Sequence, residues 1–276
     1  MTLASDRTEY FRRLHHGSEL LLLPNPWDVG SARLLASLGF AALATTSSGY
    51  AATLGQLDGS VTRDQALRHA AAIVAATDLP VSADLENGYG DSPEQVAETV
   101  RLALDAGLAG CSIEDFTGGA DDPIYDRARA AERITAAAEA AHAGPTRLVL
   151  TGRAENYLHG RPDLADTIGR LQSYQEAGAD VLYAPGLRAL DDIRAVVSSV
   201  DRPVNVLAVA GGPSMAELAA AGVRRVSVGG RFAFAALGAL VEAARELLGG
   251  NPTVLFERSA LGAEAAQAAF ASAPPP

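Results

Sequence analysis

Lysine is missing from this chain of 276 residues: all 22 basic side chains are arginines. A Schiff-base aldolase, a pyridoxal-phosphate enzyme and a Walker-type phosphate site each need a lysine amine, so the sequence excludes those chemistries. The bias itself suits a genome with Arg- and Ala-favouring codons. Cysteine is almost missing as well. With Cys111 alone, the chain forms no internal disulfide and no thiolate cluster of its own, so a metal would meet carboxylates, other oxygens or imidazole. Positive charge is short too: the net charge is −11, and the acids are spread along the whole chain, which leaves no basic footprint for nucleic acid. No apolar run approaches the roughly 20 residues that a membrane span needs. Residues 1–26 lack the signal-peptide order of charge, apolar block and small-residue cleavage site. Neither nucleic acid nor membrane is an expected partner, and the sequence reads as cytoplasmic.

Apolar residues are plentiful enough for a sizeable core, at 48% of the chain. They fall into short runs that alternate eight times with helix-length segments. The runs are Leu20–Leu23, Ala41–Ala44, Val81–Leu85, Gly110–Glu114, Arg147–Thr151, Asp180–Tyr183, Val204–Val209 and Arg225–Val228. Between them, Thr62–Ala76, Pro93–Ala106, Asp126–Ala143, Leu164–Ala177 and Met215–Ala221 carry apolar residues at helical spacing. Parallel strands joined by helical crossovers follow, and eight such units close a (β/α)8 barrel. Gly107, Gly178 and Gly222 each stand where a helix gives way to a strand and suit a left-handed helix end. Thr62 and Ser92 are candidate helix caps followed by acids. The expected organisation is one domain over 1–276, with the barrel over about 18–248, Phe232–Leu248 as the eighth helix and an additional C-terminal helix over 252–271. That last helix can pack on its own barrel or on a neighbouring subunit.

Barrel chemistry sits at the C-terminal ends of the strands. The third strand ends Asp84-Leu85-Glu86, which predicts two carboxylates on one side of the strand, and the fourth ends Glu114-Asp115. The second connection adds Asp58, and the fifth strand delivers Arg153. Converging carboxylates raise one another's pKa values unless a cation sits among them. Mg²⁺ suits such a set, with Mn²⁺ as the alternative, because it commonly takes one or two carboxylates directly and keeps several waters. Arg153 offers a fork for a substrate carboxylate. Thr45–Gly49 reads as a polar turn able to aim hydroxyls and N–H groups at an anion. Asp91 and Asp115 read as solvated loop carboxylates or caps. The glycine pairs at 211–212 and 229–230 read as turn chemistry rather than as a phosphate site.

Together these segments resemble the isocitrate lyase/phosphoenolpyruvate mutase superfamily. The matching text is Asn25–Arg33, Thr46–Gly49, Leu54-Gly55 with Asp58, Asp84–Gly90, Gly107–Asp115, Gly152-Arg153 and Gly178–Asp180. The resemblance runs from about residue 10 to 250, and Asp84-x-Glu86-x-Gly88-Tyr89-Gly90 is its most specific part. It implies that Asp84 lies closest to the metal, with Asp58, Glu86 and Glu114 held mainly through waters. It also implies that Thr46, Ser47 and Ser48 receive the substrate carboxylate beside Asp84, and that Arg153, Asp58 and Glu114 form the catalytic set. The implied reaction is Mg²⁺-dependent cleavage of a C–C bond in a small α-oxo acid or hydroxy-dicarboxylate through an enolate. A phosphonopyruvate/phosphoenolpyruvate mutase-like transferase and a non-catalytic oxo-acid-binding homologue are the alternatives. A homo-oligomer is implied as well, a dimer or a tetramer with an exchanged C-terminal helix.

Three departures bear on the reaction. The lyases carry a Lys-(Lys/Arg)-Cys-Gly loop after the fourth strand, where this chain has Phe116–Pro123 with neither lysine nor cysteine. Cys111 falls earlier, inside the strand, as a buried small residue. The mutases carry a histidine after the sixth strand, where this chain reads Tyr183-Ala184-Pro185. None of the five histidines is expected at a strand end. His15, His16, His69 and His142 read as helix-surface or loop residues, and His159 lies just past the Arg153 segment.

Overall fold

A computed structural model describes residues 3–271. Its strands are β1 (Leu21–Leu23), β2 (Leu43–Ala44), β3 (Val81–Asp84), β4 (Gly110–Glu114), β5 (Val149–Arg153), β6 (Val181–Tyr183), β7 (Val204–Leu207) and β8 (Arg225–Ser227). All neighbours run parallel, in the order β1-β8-β7-β6-β5-β4-β3-β2. The seam between β1 and β2 is bridged by the Ala44 N–H, which donates to the Pro24 carbonyl at 3.0 Å. The Asn25 amide adds a clip there: Nδ2 donates to the Thr45 carbonyl at 3.0 Å, and Oδ1 accepts from the N–H groups of Val228 and Gly229 at 2.9 Å each. The result is a nearly closed (β/α)8 barrel, as the alternation predicts.

The helices are α1 (Leu3–Leu14), α2 (Val29–Ser37), α3 (Ser47–Thr53), α4 (Arg63–Ala75), α5 (Pro93–Asp105) and α6 (Arg127–His142). They continue with α7 (Leu164–Glu176), α8 (Leu190–Ser198), α9 (Met215–Ala220), α10 (Arg231–Leu248) and the C-terminal α11 (Thr253–Ala271). Thr62 and Ser92 cap α4 and α5, each in a reciprocal pair with the glutamine three residues on. Gly107, Gly178 and Gly222 adopt the expected left-handed backbone, with φ of 79°, 103° and 86°. No helix among the described residues is long and apolar enough to cross a membrane.

Two expectations shift. The fifth strand begins at Val149, two residues later than its apolar run, because the Leu148 N–H bonds back to Ala141 and pairing starts with Val149 against Gly110. Arg153 is therefore the last residue of β5, directly opposite Glu114. Thr46 is not part of a free turn: its side chain accepts from the Gly49 N–H and caps α3.

The bottom of the barrel corrects a further reading. His15 is buried, 2% exposed, rather than on a helix surface. Phe11 packs edge-on against it at 4.6 Å, and its Nε2 lies 3.3 Å from the Arg225 guanidinium, which also donates to Asn205 and Thr151 inside the barrel. Burial and Arg225 bring the His15 pKa down to about 3, so this imidazole is a neutral acceptor. Gly110 is required at this end, because an added Cβ would stand 2.7 Å from the Phe11 ring and 2.9 Å from the Val149 carbonyl.

Candidate active site

Strand β3 places Asp84 at its end, and two further residues bring Glu86 to the same mouth by a different route from the expected one. Leu85 turns into the core, and Glu86 (φ 47°) and Tyr89 (φ 57°) adopt left-handed backbone, so Glu86 sits in a tight turn rather than on the strand. Non-glycine residues hold such backbone only where their surroundings impose it. Arg133 of α6 does so here. It is 1% exposed, and it donates to the carbonyls of Gly90 (2.6 Å), Asp91 (2.7 Å) and Asn87. The Thr99 hydroxyl adds a bond to the Gly88 carbonyl at 2.7 Å.

Arg153 lies at the centre of the mouth. Its NH1 is 3.2 Å from Glu114 and 3.5 Å from Asp84, its Nε donates to Glu155, and its guanidinium lies 5.3 Å above the Tyr183 ring. Those three carboxylates keep the buried guanidinium charged, well above its ordinary value. Asp84 in turn accepts from the Ser47 hydroxyl at 2.9 Å and the Ser47 N–H at 3.3 Å. Of the three residues expected to receive a carboxylate, Ser47 thus holds Asp84, while the Thr46 and Ser48 hydroxyls pair at 3.1 Å.

Ser47, Asp58, Glu86, Glu114 and Arg153 share one cavity of about 310 Å³ at the barrel mouth. A larger hollow of about 600 Å³ at the opposite end is lined by apolar residues such as Leu14, Leu38 and Phe40, with Arg13 and Glu19 as its charged groups. No acids converge there, so the chemistry belongs to the mouth. Burial, then the charges of Asp84 and Asp58, push the Glu86 carboxyl up to about 7. Desolvation at the rim and Asp84 raise Asp58. Burial raises Glu114 well above the ordinary value, with Glu155, Asp84 and Glu86 adding to the rise against Arg153.

This donor set consists of hard oxygens whose mutual repulsion a divalent cation would relieve. Among the described residues, no three of these acids converge as direct ligands of one ion. The set fits an ion held by one or two carboxylates with water between it and the rest.

Glu86 gives the metal-free protein a pH dependence. Its folded pKa of about 7 exceeds the ordinary 4.5, so the folded state retains a proton that the unfolded chain releases. The stabilisation is complete below pH 4.5 and is lost as the pH rises through 7. Thermal melts in chelator should show a smaller decline between pH 5 and pH 8 for Glu86→Gln than for the natural chain. Parallel declines would contradict this assignment.

Several residues at the site escape the sequence reading. Asp115 is no solvated carboxylate: it is 2% exposed, accepts from Tyr174 at 2.5 Å and Arg170 at 3.0 Å, and receives the Glu155 N–H at 2.7 Å. Glu155, buried, pairs with Arg153 and faces His159 at 3.5 Å. Burial would raise Glu155, but Arg153 and His159 outweigh it and hold the carboxyl below its ordinary value. His159 lines the cavity too, beside Phe116. The signal for this pair is their four-residue spacing past a strand end, which one turn of backbone brings to one side. The Phe116–Pro123 segment forms a short ordered hairpin, bridged at Phe116 and Ile124 and by the Thr117 N–H to the Pro123 carbonyl at 2.8 Å.

Comparison with known proteins agrees with this fold. The phosphoenolpyruvate phosphomutase family model matches residues 11–248. The chain is similar to a crystal structure from Burkholderia cenocepacia J2315, provisionally named a lyase/mutase, with 57% identity, a TM-score of 0.89 and 91% of each chain covered. It is also similar to the structure of 2,3-dimethylmalate lyase, a PEP mutase/isocitrate lyase superfamily member, at 28% identity and a TM-score of 0.81 over 91% of this chain and 90% of the other. Oxaloacetate decarboxylase of Chromohalobacter salexigens is 30% identical over 86% of this chain and 83% of its own.

Proposed function

Because the chain belongs to the phosphoenolpyruvate phosphomutase family, within the isocitrate lyase/PEP mutase superfamily, we propose that it is a Mg²⁺-dependent lyase. It cleaves a C–C bond in a small α-oxo or 2-hydroxy (di)carboxylate and passes through an enolate. The observation that carries this reading is the mouth itself. A permanently charged Arg153 stands within 3.5 Å of Asp84 and Glu114, in a cavity where burial and the charge of Asp84 raise Asp58, Glu86 and Glu114.

Asp84 is the residue that would hold the metal most directly, with Asp58, Glu86 and Glu114 holding its waters. When bound, the ion would supply positive charge to offset the negative charge that develops on the substrate, a contribution of several kcal/mol in sites of this kind. Arg153 supplies the protein's own share, a preorganised guanidinium beside the reacting carbonyl. Ser47 fixes the Asp84 carboxylate, and Thr46 and Ser48 lie next to it as substrate-carboxylate contacts. A cavity of about 310 Å³ limits the substrate to a small acid. Its apolar wall of Phe116 and Leu158, with acids around its one arginine, suits a carbon chain better than a phosphonate dianion. The chain's location in the cytoplasm and its self-association are part of this reading. Phe234 and Leu240 of α10, with Phe256 and Leu261 of α11, are exposed and support a dimer or tetramer that light scattering would detect.

The test is steady-state turnover of oxaloacetate and alkyl-substituted malates and isocitrates with Mg²⁺, against Asp84→Ala. The variant should lose about 100-fold or more of kcat/KM. Equal turnover by both proteins overturns the reading, as does phosphorus NMR showing interconversion of phosphoenolpyruvate and phosphonopyruvate. Tight Mg²⁺-dependent binding of an oxo acid without any turnover would instead mark a binding homologue.

A further inference from the structure

We infer that His159 is the catalytic residue that delivers a proton to the enolate carbon after C–C cleavage, an inference that rests on the lyase reading above. The imidazole is held on two sides. Its face stacks on Phe116 with centroids 3.9 Å apart and planes 10° from parallel, and its Nε2 stands 3.5 Å from Glu155. Glu155 cannot swing away, because its N–H is bound to the buried Asp115 at 2.7 Å and its other oxygen receives Arg153. One end of the imidazole therefore faces a fixed carboxylate, the arrangement that orients a histidine. Among the described residues, Nδ1 has no hydrogen-bond partner, and the side chain keeps 26% of its surface open beside the cavity it lines.

Elimination leads to the same residue. The chain has no lysine, and Cys111 is fully buried within β4 with its thiol pushed up to about 12. Arg153 keeps its proton, and the Ser47 hydroxyl is committed to Asp84. Asp58, Asp84, Glu86 and Glu114 are the acids assigned to the cation. Of the groups lining the cavity, His159 is the one able to exchange a proton without such a commitment, Glu155 being paired with Arg153.

For a 2-oxo dicarboxylate the step balances as follows. The bond from C3 to the departing carboxylate breaks, CO₂ leaves, and the electron pair remains on the three-carbon fragment as its enolate. The His159 imidazolium then transfers its N–H proton to C3 as the new C–H bond forms. Neutral imidazole remains and regains a proton from water at the cavity mouth.

Read in reverse, the same step removes a methyl proton from pyruvate, so it can be followed without the full substrate. Proton NMR of pyruvate in D₂O, with full-length protein and Mg²⁺, should show methyl exchange by the natural chain. His159→Gln and His159→Phe should slow that exchange by about 100-fold or more, while pyruvate binding by calorimetry stays within about two-fold. Exchange at the natural rate in folded His159→Gln overturns the role of His159 and leaves the lyase reading standing. If the natural chain neither exchanges pyruvate nor cleaves any oxo acid, the lyase reading itself falls and this inference falls with it.

Discussion

Replacing Arg153 with methionine is expected to remove at least 100-fold of kcat/KM and to destabilise the fold by about 3–5 kcal/mol. Both losses have one origin. The guanidinium is the positive partner of Glu114 at 3.2 Å, Asp84 at 3.5 Å and Glu155, three acids that the strand ends and the β5 turn fix in place. Methionine fills much of the volume but leaves those charges facing each other away from water, and breaking a buried pair from one side costs far more than the pair contributes. The enolate would lose its protein-borne counter-charge at the same time. Arg153→Lys separates the two effects. It restores a positive charge, and so most of the stability, but not the fork that meets two partners at once, and activity should stay low. Urea unfolding and steady-state kinetics on the three proteins decide the matter; an Arg153→Met variant as stable and as active as the natural chain contradicts the assignment.

Arg133→Met should destabilise the chain by a similar amount, about 3–5 kcal/mol, although this arginine lies outside the mouth cavity. Its guanidinium serves the carbonyls of Asn87, Gly90 and Asp91 and sits 4.3 Å from the Tyr125 ring. Without it the Asn87 and Gly90 carbonyls lose the guanidinium and Asp91 keeps only Arg129, and buried unpaired polar groups cost about 1–3 kcal/mol each. The turn that keeps Glu86 and Tyr89 in left-handed backbone then has little to hold it. The Mg²⁺ concentration needed for half-maximal activity should therefore rise, which a simple loss of global stability would not produce in protein that is still folded at the assay temperature. An unchanged Mg²⁺ requirement would mean that Arg133 holds the fold without positioning Glu86.

The barrel was legible in the sequence because it depends on local text. Apolar runs, helix-terminal glycines and caps such as Thr62 and Ser92 act over three or four residues, and their positions held to within one or two residues. The strand-end acids and Arg153 were legible for the same reason, once strand ends are read as the chemical end of a barrel. What escaped depends on partners far along the chain. Arg133 acts on carbonyls 42 to 46 residues away, and Asp115 meets Tyr174 across 59 residues. His15 is buried because Arg225 arrives from 210 residues further on. No periodicity or spacing reports such meetings, so a buried arginine and a loop aspartate look like ordinary surface charges in the text. The position of β5 escaped for a smaller reason: Leu148 is apolar like the strand that follows it, with Arg147 just before, but pairing with β4 begins only at Val149.

A hoop with seven laddered joints and one light fastening yields at the fastening. Seven neighbouring strand pairs here share ladders, whereas the eighth junction rests on the Ala44 to Pro24 contact and the Asn25 clip. Local opening of the ring is expected first at that junction, so the Ala44 amide should trade its hydrogen for deuterium sooner than amides in the β4–β5 ladder. Because Thr45 and the capped start of α3 follow at once, each such parting would shift Ser47 and slacken its grip on Asp84. The easiest deformation of the whole ring is thus geared to the one carboxylate on which the acid cluster is centred.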